Sequence, residues 1–404
     1  MDADGLSRLL APEGWALLTA LPPYDERLAM ALAERLRAEG LHPSLVAAAL
    51  TQSRLRSKAR AKLGDFADGM LFTQAGLEQA TRLEVAAHHA RRYRDAGVTH
   101  VADLTSGIGA DAMAFAGVGL RVTAAELDEM TAAIATVNLR HFPEAEVRHQ
   151  DGLMLDFDGI DGVYADPARR TKTGSRLFDP AAYAPPLDSV LALRERVPAL
   201  GLKLGPGVPH RALPDDARAQ WVSVDGDVVE LGLWFGPLAP EGPGRSALVL
   251  RGGRAHVLAP DDAAHAHVGP VGGYLYEPDG AVIRAGLVGD VAAEVRGRLV
   301  DPTIAYVTSD DRVATPFATG YRVLDTMPFG LKRLRAYLRE RGVGTLTIKK
   351  RGTAVEPDQL RRQLDPRGDA SATLVLTRVA GQQTVLVVEP LVGPTGPADP
   401  AQEA

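Results

Sequence analysis

The stretch Asp103-Leu104-Thr105-Ser106-Gly107-Ile108-Gly109-Ala110-Asp111 decides the fold. It follows the short apolar segment Val98–Leu104 and leads into the Ala-rich segment Asp111–Gly117, so its pattern predicts a strand, a tight turn and a helix. Glycines let such a turn bend sharply and approach a ligand closely. The spacing Gly-x-Gly-x-x-Ala also fits the loose dinucleotide-binding fingerprint, and an ordinary strand-to-helix turn can look the same. The loop alone therefore does not choose the ligand.

The segments that follow repeat this alternation of strand and helix. Strands are predicted at Arg121–Glu126, Glu146–His149 and Gly162–Asp166, with a helix at Met130–Arg140 between the first two. Strands alternating with helices predict a parallel sheet with right-handed crossovers. The fold class is therefore α/β, with a Rossmann-like domain. The apolar segments after residue 218 have no helix between them, which predicts an antiparallel edge.

Four acidic residues come at the ends of successive predicted strands: Asp103, Glu126, Asp151 and Asp166. Open α/β sheets bind ligands at the carboxyl ends of their strands. Glu126 ends the second strand, about 20 residues after the first glycine, where a carboxylate can accept both hydroxyls of a ribose. Any one of these acids is also an ordinary helix cap or turn residue. Four of them in this order predict a ligand site.

The order of these acids and glycines resembles class I S-adenosylmethionine-dependent methyltransferases. The resemblance implies that S-adenosylmethionine is the cofactor, that Asp103 lies near its methionine amino group, that Glu126 holds the ribose and that Asp151 lies near the adenine amine. The segment Leu71–Thr81 is similar to the stretch that leads into such domains. The resemblance therefore predicts a cofactor-binding set of Gln79, Thr81, Asp103, Thr105, Ser106, Gly107, Gly109, Asp111, Glu126, Leu127, Asp151 and Gly152.

In that set, Gln79 and Thr81 would meet the methionine carboxylate, although a plain helix surface explains their positions equally well. More narrowly, the chain resembles methyltransferases with a THUMP-like C-terminal domain. The resemblance covers about Leu71 to Val388, and THUMP domains in general bind RNA. The stretches that carry it are Asp166–Arg170, Tyr274–Pro278, Ile283–Gly286 and Ile348–Gly352.

The motif Asp166-Pro167-Ala168-Arg169 indicates the reaction. Enzymes that methylate exocyclic amines commonly use Asp or Asn, then Pro-Pro and an aromatic residue. The carboxylate accepts the amine hydrogens and the ring stacks on the base. Here Arg169 replaces the aromatic residue, and a guanidinium plane can also stack on a base. The predicted catalytic residues are Asp166, Pro167 and Arg169, with the role of Arg170 open. The motif also resembles that of enzymes that methylate uracil carbon 5, but those need a cysteine nucleophile and the chain has no cysteine.

Two basic stretches bear on partners. Arg54–Lys62 has basic residues at every second position, and 331–352 holds eight Lys or Arg against one acid. Local basic patches on a chain of formal net charge -6 suit binding to a phosphate backbone, although a solvated helix face has the same composition. Lys349, Lys350 and Arg351 are the predicted RNA-binding residues. The predicted partner is RNA, either tRNA or rRNA.

The composition narrows the remaining classes. Hydrophobic residues make up 46% and charged residues 24%, which are ordinary values for a globular chain. The N-terminal residues lack a signal-peptide pattern, no apolar run is long enough for a membrane span, and the ten histidines show no ligand spacing. We therefore expect a cytoplasmic protein with no membrane contact and no metal. The predicted regions are an N-terminal helical region (1–96), the methyltransferase domain (97–259), a small α+β, ferredoxin-like module (268–326), a THUMP-like domain (327–390) and a disordered tail (391–404).

The leading hypothesis is a methyltransferase acting on the exocyclic amine of guanine or adenine in structured RNA. The alternatives are a methyltransferase of small molecules or protein side chains, an RNA-binding module with a vestigial cofactor site, and a nicotinamide-dependent oxidoreductase. Lys203 and Glu230 could line the pocket, but charges at the edge of the sheet are the more favoured interpretation.

Overall fold

The computed structural model describes residues 3–167, 183–261 and 266–391. It divides into two compact units: Met1–Leu204 with Leu233–Gly242, and Gly205–Gly232 with Pro243–Ala404. The predicted catalytic residue Arg169, the neighbouring Arg170 and all but the first residue of the predicted tail lie outside the described residues. The five predicted regions are defined by their expected functions, whereas the two units are defined by compactness. The division into units therefore does not test the predicted boundaries, which stay a prediction.

Thirteen α-helices lie in the described ranges: α1 (Ala3–Leu10), α2 (Pro12–Ala20), α3 (Ala29–Ala38), α4 (Pro43–Leu63), α5 (Gln74–Gln79), α6 (Leu83–Asp95), α7 (Ala110–Gly117), α8 (Glu129–Leu139), α9 (Leu187–Ala192), α10 (Gly280–Ala285), α11 (Val288–Glu294), α12 (Leu331–Glu340) and α13 (Pro357–Leu364). None of these helices is long and apolar enough to cross a membrane.

Sixteen β-strands lie in the same ranges: β1 (His100–Asp103), β2 (Arg121–Glu126), β3 (Ala145–His149), β4 (Gly162–Ala165), β5 (Ala199–Leu204), β6 (Arg218–Val224), β7 (Asp227–Trp234), β8 (Gly244–Arg251), β9 (Arg254–Leu258), β10 (Tyr274–Pro278), β11 (Arg298–Asp301), β12 (Ile304–Ser309), β13 (Ala318–Pro328), β14 (Val343–Lys350), β15 (Ala370–Val379) and β16 (Gln382–Pro390).

The long helix α4 begins where the sequence predicts a helix start. Pro43 occupies the first turn, where its missing N–H costs nothing, and His42 Nδ1 accepts a hydrogen bond from the Ser44 N–H at 3.3 Å. The helix ends at Gly64, whose φ of +57° suits glycine. The inward face of α4 packs into the core of the first unit through residues that include Leu55, Ala59 and Leu63.

The apolar stripe of residues 77–96 predicts a single helix, but the structure interrupts it. Helix α5 ends at Gln79 and α6 begins at Leu83, with extended backbone between them. Thr81, in the interruption, is buried and donates a hydrogen bond to Asp111 Oδ2 at 2.6 Å. This long-range contact, which no local pattern encodes, outweighs the helix propensity of the segment.

Five parallel strands form the sheet of the first unit, in the order β3-β2-β1-β4-β5. The order reverses between β1 and β4, because the chain builds outward first to one side of β1 and then to the other. At such a switch point the loops after the two strands diverge and leave a crevice at their carboxyl ends. The α/β fold predicted from the sequence is confirmed here, and the reversal places the ligand site.

An aromatic cluster supports β4. Tyr93, Phe115 and Tyr164 are buried and meet edge to face, with ring centroids 5.0, 5.3 and 6.5 Å apart. The Tyr93 hydroxyl donates to the Val163 carbonyl at 2.5 Å, which satisfies its polar end inside the core. Burying each of these rings contributes about 1.5–3 kcal/mol. The strand that carries Asp166 is therefore held rigidly.

The second unit begins with β6, β8 and β9. Strands β6 and β8 pair in parallel, whereas β8 and β9 pair antiparallel. The expected antiparallel edge is therefore found at β8–β9 but not at β6–β8. The apolar segment 246–258 is divided between these two strands, which are joined by a turn at Gly252 and Gly253, both with positive φ.

A seven-stranded sheet follows, in the order β11-β12-β10-β13-β16-β15-β14. Alternate residues of β15 enter different cores: Leu374 and Leu376 pack with α12 and α13, and Val375 packs on the other side with Leu275 and Tyr306. This is the period-two alternation of a strand buried on both faces. Strand β13 spans the predicted boundary between residues 326 and 327, so one sheet includes strands from both predicted C-terminal regions.

Candidate active site

A cleft of about 470 Å³ opens at the carboxyl ends of the five strands β1 to β5 in the first unit. Most of its walls come from loops that follow these strands and from the interruption between α5 and α6. It is lined by Gly76, Gln79, Ala80, Thr81, Leu104, Thr105, Ser106, Gly107, Ile108, Ala110, Asp111, Ala125, Glu126, Leu127, Gln150, Asp151, Gly152, Leu153, Asp166, Tyr183, Ala184, Pro185, Pro186 and Lys203.

The glycine loop after β1 adopts a conformation that needs its glycines. Gly107 and Gly109 have φ of +55° and +88°, in the left-handed region. Ser106 donates its N–H to the Ala125 carbonyl at 2.9 Å, which ties the loop to β2. A Cβ on Gly107 would meet no protein atom within 4 Å, so this backbone faces open space along the cleft. The loop is shaped for a ligand that approaches the main chain closely.

Glu126 is held by the same loop. Its Oε2 accepts the Gly107 N–H at 3.0 Å, and its Oε1 accepts the Asp128 N–H at 2.8 Å. Each carboxylate oxygen can accept a second hydrogen bond, so both remain able to meet hydroxyl donors. Asp151 is fixed similarly, because its Oδ1 accepts the Leu153 N–H at 2.9 Å. Both acids are therefore oriented before any ligand arrives.

Asp103 lies beneath the loop and is almost fully buried. Its Oδ1 accepts the Thr105 N–H at 3.2 Å, but its Oδ2 has no hydrogen-bond partner among the residues that the structure describes. Burial, followed by the nearby charge of Asp111, raises the pKa of Asp103 well above its usual range. A buried acceptor in this state favours a cationic donor beside it.

Asp166 follows β4 and is positioned from two sides. Its backbone N–H donates to Thr105 Oγ1 at 2.7 Å, which joins the loops after β1 and β4 across the switch point. Its Oδ2 lies 2.6 Å from Lys203 Nζ, at the end of β5. Lys203 has only 14% of its side chain exposed, so the pair is partly shielded from water. The carboxylate is therefore held in one place at the cleft wall.

Lys203 extends this network deeper into the unit. Its Nζ donates to Thr81 Oγ1 at 2.8 Å, and Thr81 in turn donates to Asp111 Oδ2. Asp111 Oδ1 lies 2.9 Å from His89 Nδ1. Burial raises the pKa of Asp111, but the hydrogen bond and charge of His89, the charge of Lys203 and the Thr81 bond outweigh it and lower the pKa. We call Asp166, Lys203, Thr81, Asp111 and His89 the cleft network.

The structure brings most of the predicted site residues together. Asp103 and Gly109 are not in the lining but lie in the same loop, and Pro167 directly follows Asp166. The roles of all these predicted site residues stay predictions. The predicted residues that do line the cleft are Gln79, Thr81, Thr105, Ser106, Gly107, Asp111, Glu126, Leu127, Asp151, Gly152 and Asp166.

Two lining residues were undervalued or missed by the sequence reasoning. The sequence favours the interpretation of Lys203 as a charge at the edge of the sheet, yet Lys203 contacts Asp166 in the cleft. Its signal was its place at the end of the fifth strand, next to the other strand ends. Tyr183 is buried, and no motif pointed to it. Glu230 is buried in β7 and is not among the lining residues.

The predicted RNA-binding residues belong to the second unit, at the end of β14. Each has an acidic neighbour. Lys349 Nζ lies 2.6 Å from Glu277 Oε2, Arg351 lies 3.8 Å from Glu277 Oε1, and Lys350 lies 2.5 Å from Glu356. Burial lowers the pKa of Lys349, but the hydrogen bond that it donates to Glu277 and its hydrogen bond with Tyr321 outweigh burial and raise the pKa. No cluster of three or more potential metal ligands occurs in the described ranges.

Comparison with known protein families finds one match near each end of the chain. Residues 318–390 match the family described as THUMP domain-like. Residues 2–59 match a domain family of unknown function, DUF8688.

Comparison with individual proteins finds similarity that also extends over the middle of the chain. The chain is 35% identical over 335 residues to uncharacterized S-adenosylmethionine-dependent methyltransferases from two strains of Mycobacterium tuberculosis, covering 80% of this chain and 90% of each relative. A crystal structure from Porphyromonas gingivalis W83, of a protein described as a proposed methyltransferase, shares the fold with a TM-score of 0.71 at 21% identity. It covers 92% of this chain and 100% of that chain. The chain therefore belongs to the class I S-adenosylmethionine-dependent methyltransferases and has a THUMP-like C-terminal domain.

Proposed function

We propose that this methyltransferase transfers its methyl group to the exocyclic amine of guanine or adenine in structured RNA. The observation that carries the proposal is the Asp166 carboxylate at the wall of the cleft. The Asp166 backbone N–H donates to Thr105 Oγ1, and the carboxylate itself lies 2.6 Å from Lys203 Nζ. A carboxylate fixed in this way can accept an amine hydrogen and aim the nitrogen lone pair at the methyl group.

The residues around the cleft fit S-adenosylmethionine. The Oδ2 of Asp103, which has no hydrogen-bond partner among the described residues, suits the methionine ammonium, since a cation beside a buried carboxylate favours its ionised form. Glu126 would accept the ribose hydroxyls with the lone pairs that its two backbone bonds leave. Asp151 would accept from the adenine amine, and Gln79 and Thr81 would meet the methionine carboxylate. The cofactor supplies a methyl group already activated on a sulfonium sulfur.

The chain's own residues then have a modest chemical task. A nitrogen–carbon bond forms as the carbon–sulfur bond breaks, and the bonding electrons leave with sulfur. The amine must also lose a proton, and the Asp166 carboxylate is placed to accept it or pass it to water. Alignment supplies most of the rate enhancement in such a reaction. Pro167 and Arg169 complete the proposed catalytic set, and Arg169 lies outside the described residues.

RNA is proposed as the substrate because of the THUMP-like match over residues 318–390. The chain has a net charge of -6, so attraction to RNA must come from local basic surfaces rather than from the whole molecule. Lys349, Lys350 and Arg351 are the RNA-binding residues predicted from the sequence, and each has an acidic neighbour in the structure. The proposed substrate is tRNA or rRNA, and the proposed location is the cytoplasm.

The test is transfer of a labelled methyl group from S-adenosylmethionine to separate pools of tRNA, rRNA, protein and small metabolites. Labelled RNA would be digested to nucleosides and the methylated base identified by mass spectrometry. We expect label in N2-methylguanosine or N6-methyladenosine. An Asp166→Ala variant that still binds S-adenosylhomocysteine is the matched control and should leave the RNA unlabelled.

Other results would redirect the proposal. Label confined to the protein or metabolite pool would reject RNA as the substrate. Label on a ring nitrogen, a carbon or a ribose oxygen would keep RNA but reject the exocyclic amine. Binding of S-adenosylhomocysteine and RNA without transfer to any pool would favour an RNA-binding module.

A further inference from the structure

Helix α12 has two clearly different faces. Leu334 and Leu338 are buried and pack into the core with α13 and the sheet, whereas Arg335 and Arg339 are exposed. Residues four apart lie on the same side of a helix, about 6 Å apart along its axis. Two guanidinium groups therefore stand in a row on the outer face of α12.

The basic residues of 331–352 differ in their partners. Those at the end of β14 are paired with Glu277 or Glu356. Along α12, by contrast, no acidic side chain within the described ranges forms an ion pair with Arg335 or Arg339. The same holds for Lys332 and Arg333. The positive charges at the end of β14, where the family resemblance lies, are therefore largely neutralised by acidic side chains. The positive charges of α12, which carries no such motif, are not neutralised by any acidic side chain in the described ranges.

A cleft of about 840 Å³ lies between α12 and α13. Four arginines and one acid line it, which leaves a strong positive excess. Arg335 donates to the Gln363 carbonyl and so braces the two helices, and Arg367 pairs with Asp365 at 2.6 Å. The lining residues are Arg335, Leu338, Arg339, Val343, Arg362, Gln363, Leu364, Asp365, Pro366 and Arg367. We call this cleft the α12–α13 groove.

We propose that the α12–α13 groove binds the phosphate backbone of the RNA substrate, with Arg339 and Arg362 as its principal contacts. The inference rests on the proposed function for the choice of RNA. Neither guanidinium group has an ion-pair or hydrogen-bond partner in the described part of the chain, so neither must give up a partner to bind phosphate. Guanidinium groups match phosphate oxygens two at a time. The groove lies wholly within the residues that match the THUMP-like family.

The test uses the full chain and measures its affinity for bulk tRNA and bulk rRNA between about 50 and 200 mM salt. Arg339→Gln/Arg362→Gln should weaken RNA binding about tenfold and reduce the slope of affinity against salt by about 1–2. The matched control is Arg296→Gln/Arg322→Gln, which removes the same charge from the same unit at arginines that pair with Asp311 and Glu389. It should change affinity by less than about twofold, since surface ion pairs contribute little.

Two further measurements make the result unambiguous. Arg339→Lys/Arg362→Lys should restore much of the binding, because a phosphate backbone also accepts a point charge. Affinity for S-adenosylhomocysteine should be unchanged in all variants, which shows that the cleft of the first unit is intact, and the retained RNA binding of the Lys variant shows that the second unit is folded.

Each contrary result has a distinct meaning. Equal losses in the groove variant and its control would assign the effect to net charge and overturn the groove. Unchanged RNA binding in the groove variant would also overturn it while leaving RNA as the substrate. If the native protein binds neither RNA pool, the proposed function itself fails. If polyglutamate competes as well as RNA does, the groove is a site for acidic proteins instead.

Discussion

The cleft of the first unit and the α12–α13 groove of the second are both charged, but their charges are organised in opposite ways. In the cleft, Lys203 contacts both Asp166 and Thr81, and Asp111 contacts both Thr81 and His89. In the groove, Arg339 and Arg362 are exposed and have no acidic partner among the described residues. The cleft holds a few charged side chains in fixed positions, whereas in the groove positively charged side chains outnumber acidic ones.

The difference suits the two tasks that we propose for these sites. A reacting nitrogen must be placed within a fraction of an ångström, which requires side chains locked by neighbours and shielded from water. A phosphate backbone needs only positive charge at suitable intervals, which exposed side chains supply. Changes in the cleft should therefore be large and coupled, and changes in the groove should be small and additive.

The largest effect is expected from Asp166→Ala. Removal of the carboxylate that we propose orients the amine should reduce methyl transfer by roughly 10²–10³-fold, as loss of one preorganised group does in other enzymes. Affinity for S-adenosylhomocysteine should stay within about twofold, since Asp166 is proposed to face the substrate. Transfer assays and calorimetry would measure the two separately. Asp158→Ala, on the exposed loop before β4, is the control. Turnover close to native would remove Asp166 from the catalytic set.

The next effect is expected from Glu126→Gln, which keeps the shape of the side chain but removes its charge. Charged hydrogen bonds contribute about 1.5–3 kcal/mol, so the affinity for S-adenosylhomocysteine should fall by roughly 10–100-fold. Calorimetry would measure it. Glu129→Gln, three residues further on at the exposed first residue of α8, should bind normally. Equal affinities for the two variants would show that Glu126 supports the glycine loop without contacting the ligand.

Coupling energies would test the contrast directly. Thr81→Val and Lys203→Gln disrupt the same network, so their effects on the free energy of unfolding should differ from additivity by about 0.5–3 kcal/mol. Arg339→Gln and Arg362→Gln share no hydrogen bond and should be additive within about 0.5 kcal/mol. Urea denaturation of single and double variants would supply both numbers. Additive effects in the cleft would mean that the observed contacts carry little energy.

The smallest expected effects are the pH dependence of folding and the release of a proton when the ligand binds. Because the folded-state pKa of Asp103 is raised above its unfolded value, this group favours folding at acid pH, and that contribution is lost as the pH rises through the raised pKa. Binding a cationic ligand group should ionise Asp103 and release a proton. Calorimetry with S-adenosylhomocysteine in buffers of different ionisation enthalpy should detect this release in the native protein and not in Asp103→Asn. Equal proton release from both would exclude Asp103 as its source.

Much of the first unit could be predicted from the sequence because its signals are local. The glycine loop and the acids at four strand ends have fixed spacings, and a parallel sheet brings successive strand ends to one edge. The residues lining the cleft accordingly include Glu126, Asp151 and Asp166. The predicted helix over 77–96 was wrong at its middle, because the contacts of Thr81 with Asp111 and Lys203 come from distant parts of the chain.

For this protein, then, the sequence by itself determined the α/β class, the family and the candidate ligand residues, since each depends on short motifs in a set order. Only the tertiary structure decided which charges are paired. It showed Lys203 beside Asp166 and Lys349 beside Glu277, 72 residues away, and it left Arg339 without an acidic partner among the described residues. The physical reason is that an ion pair depends on distances of a few ångströms between side chains, and composition along the chain does not encode those distances.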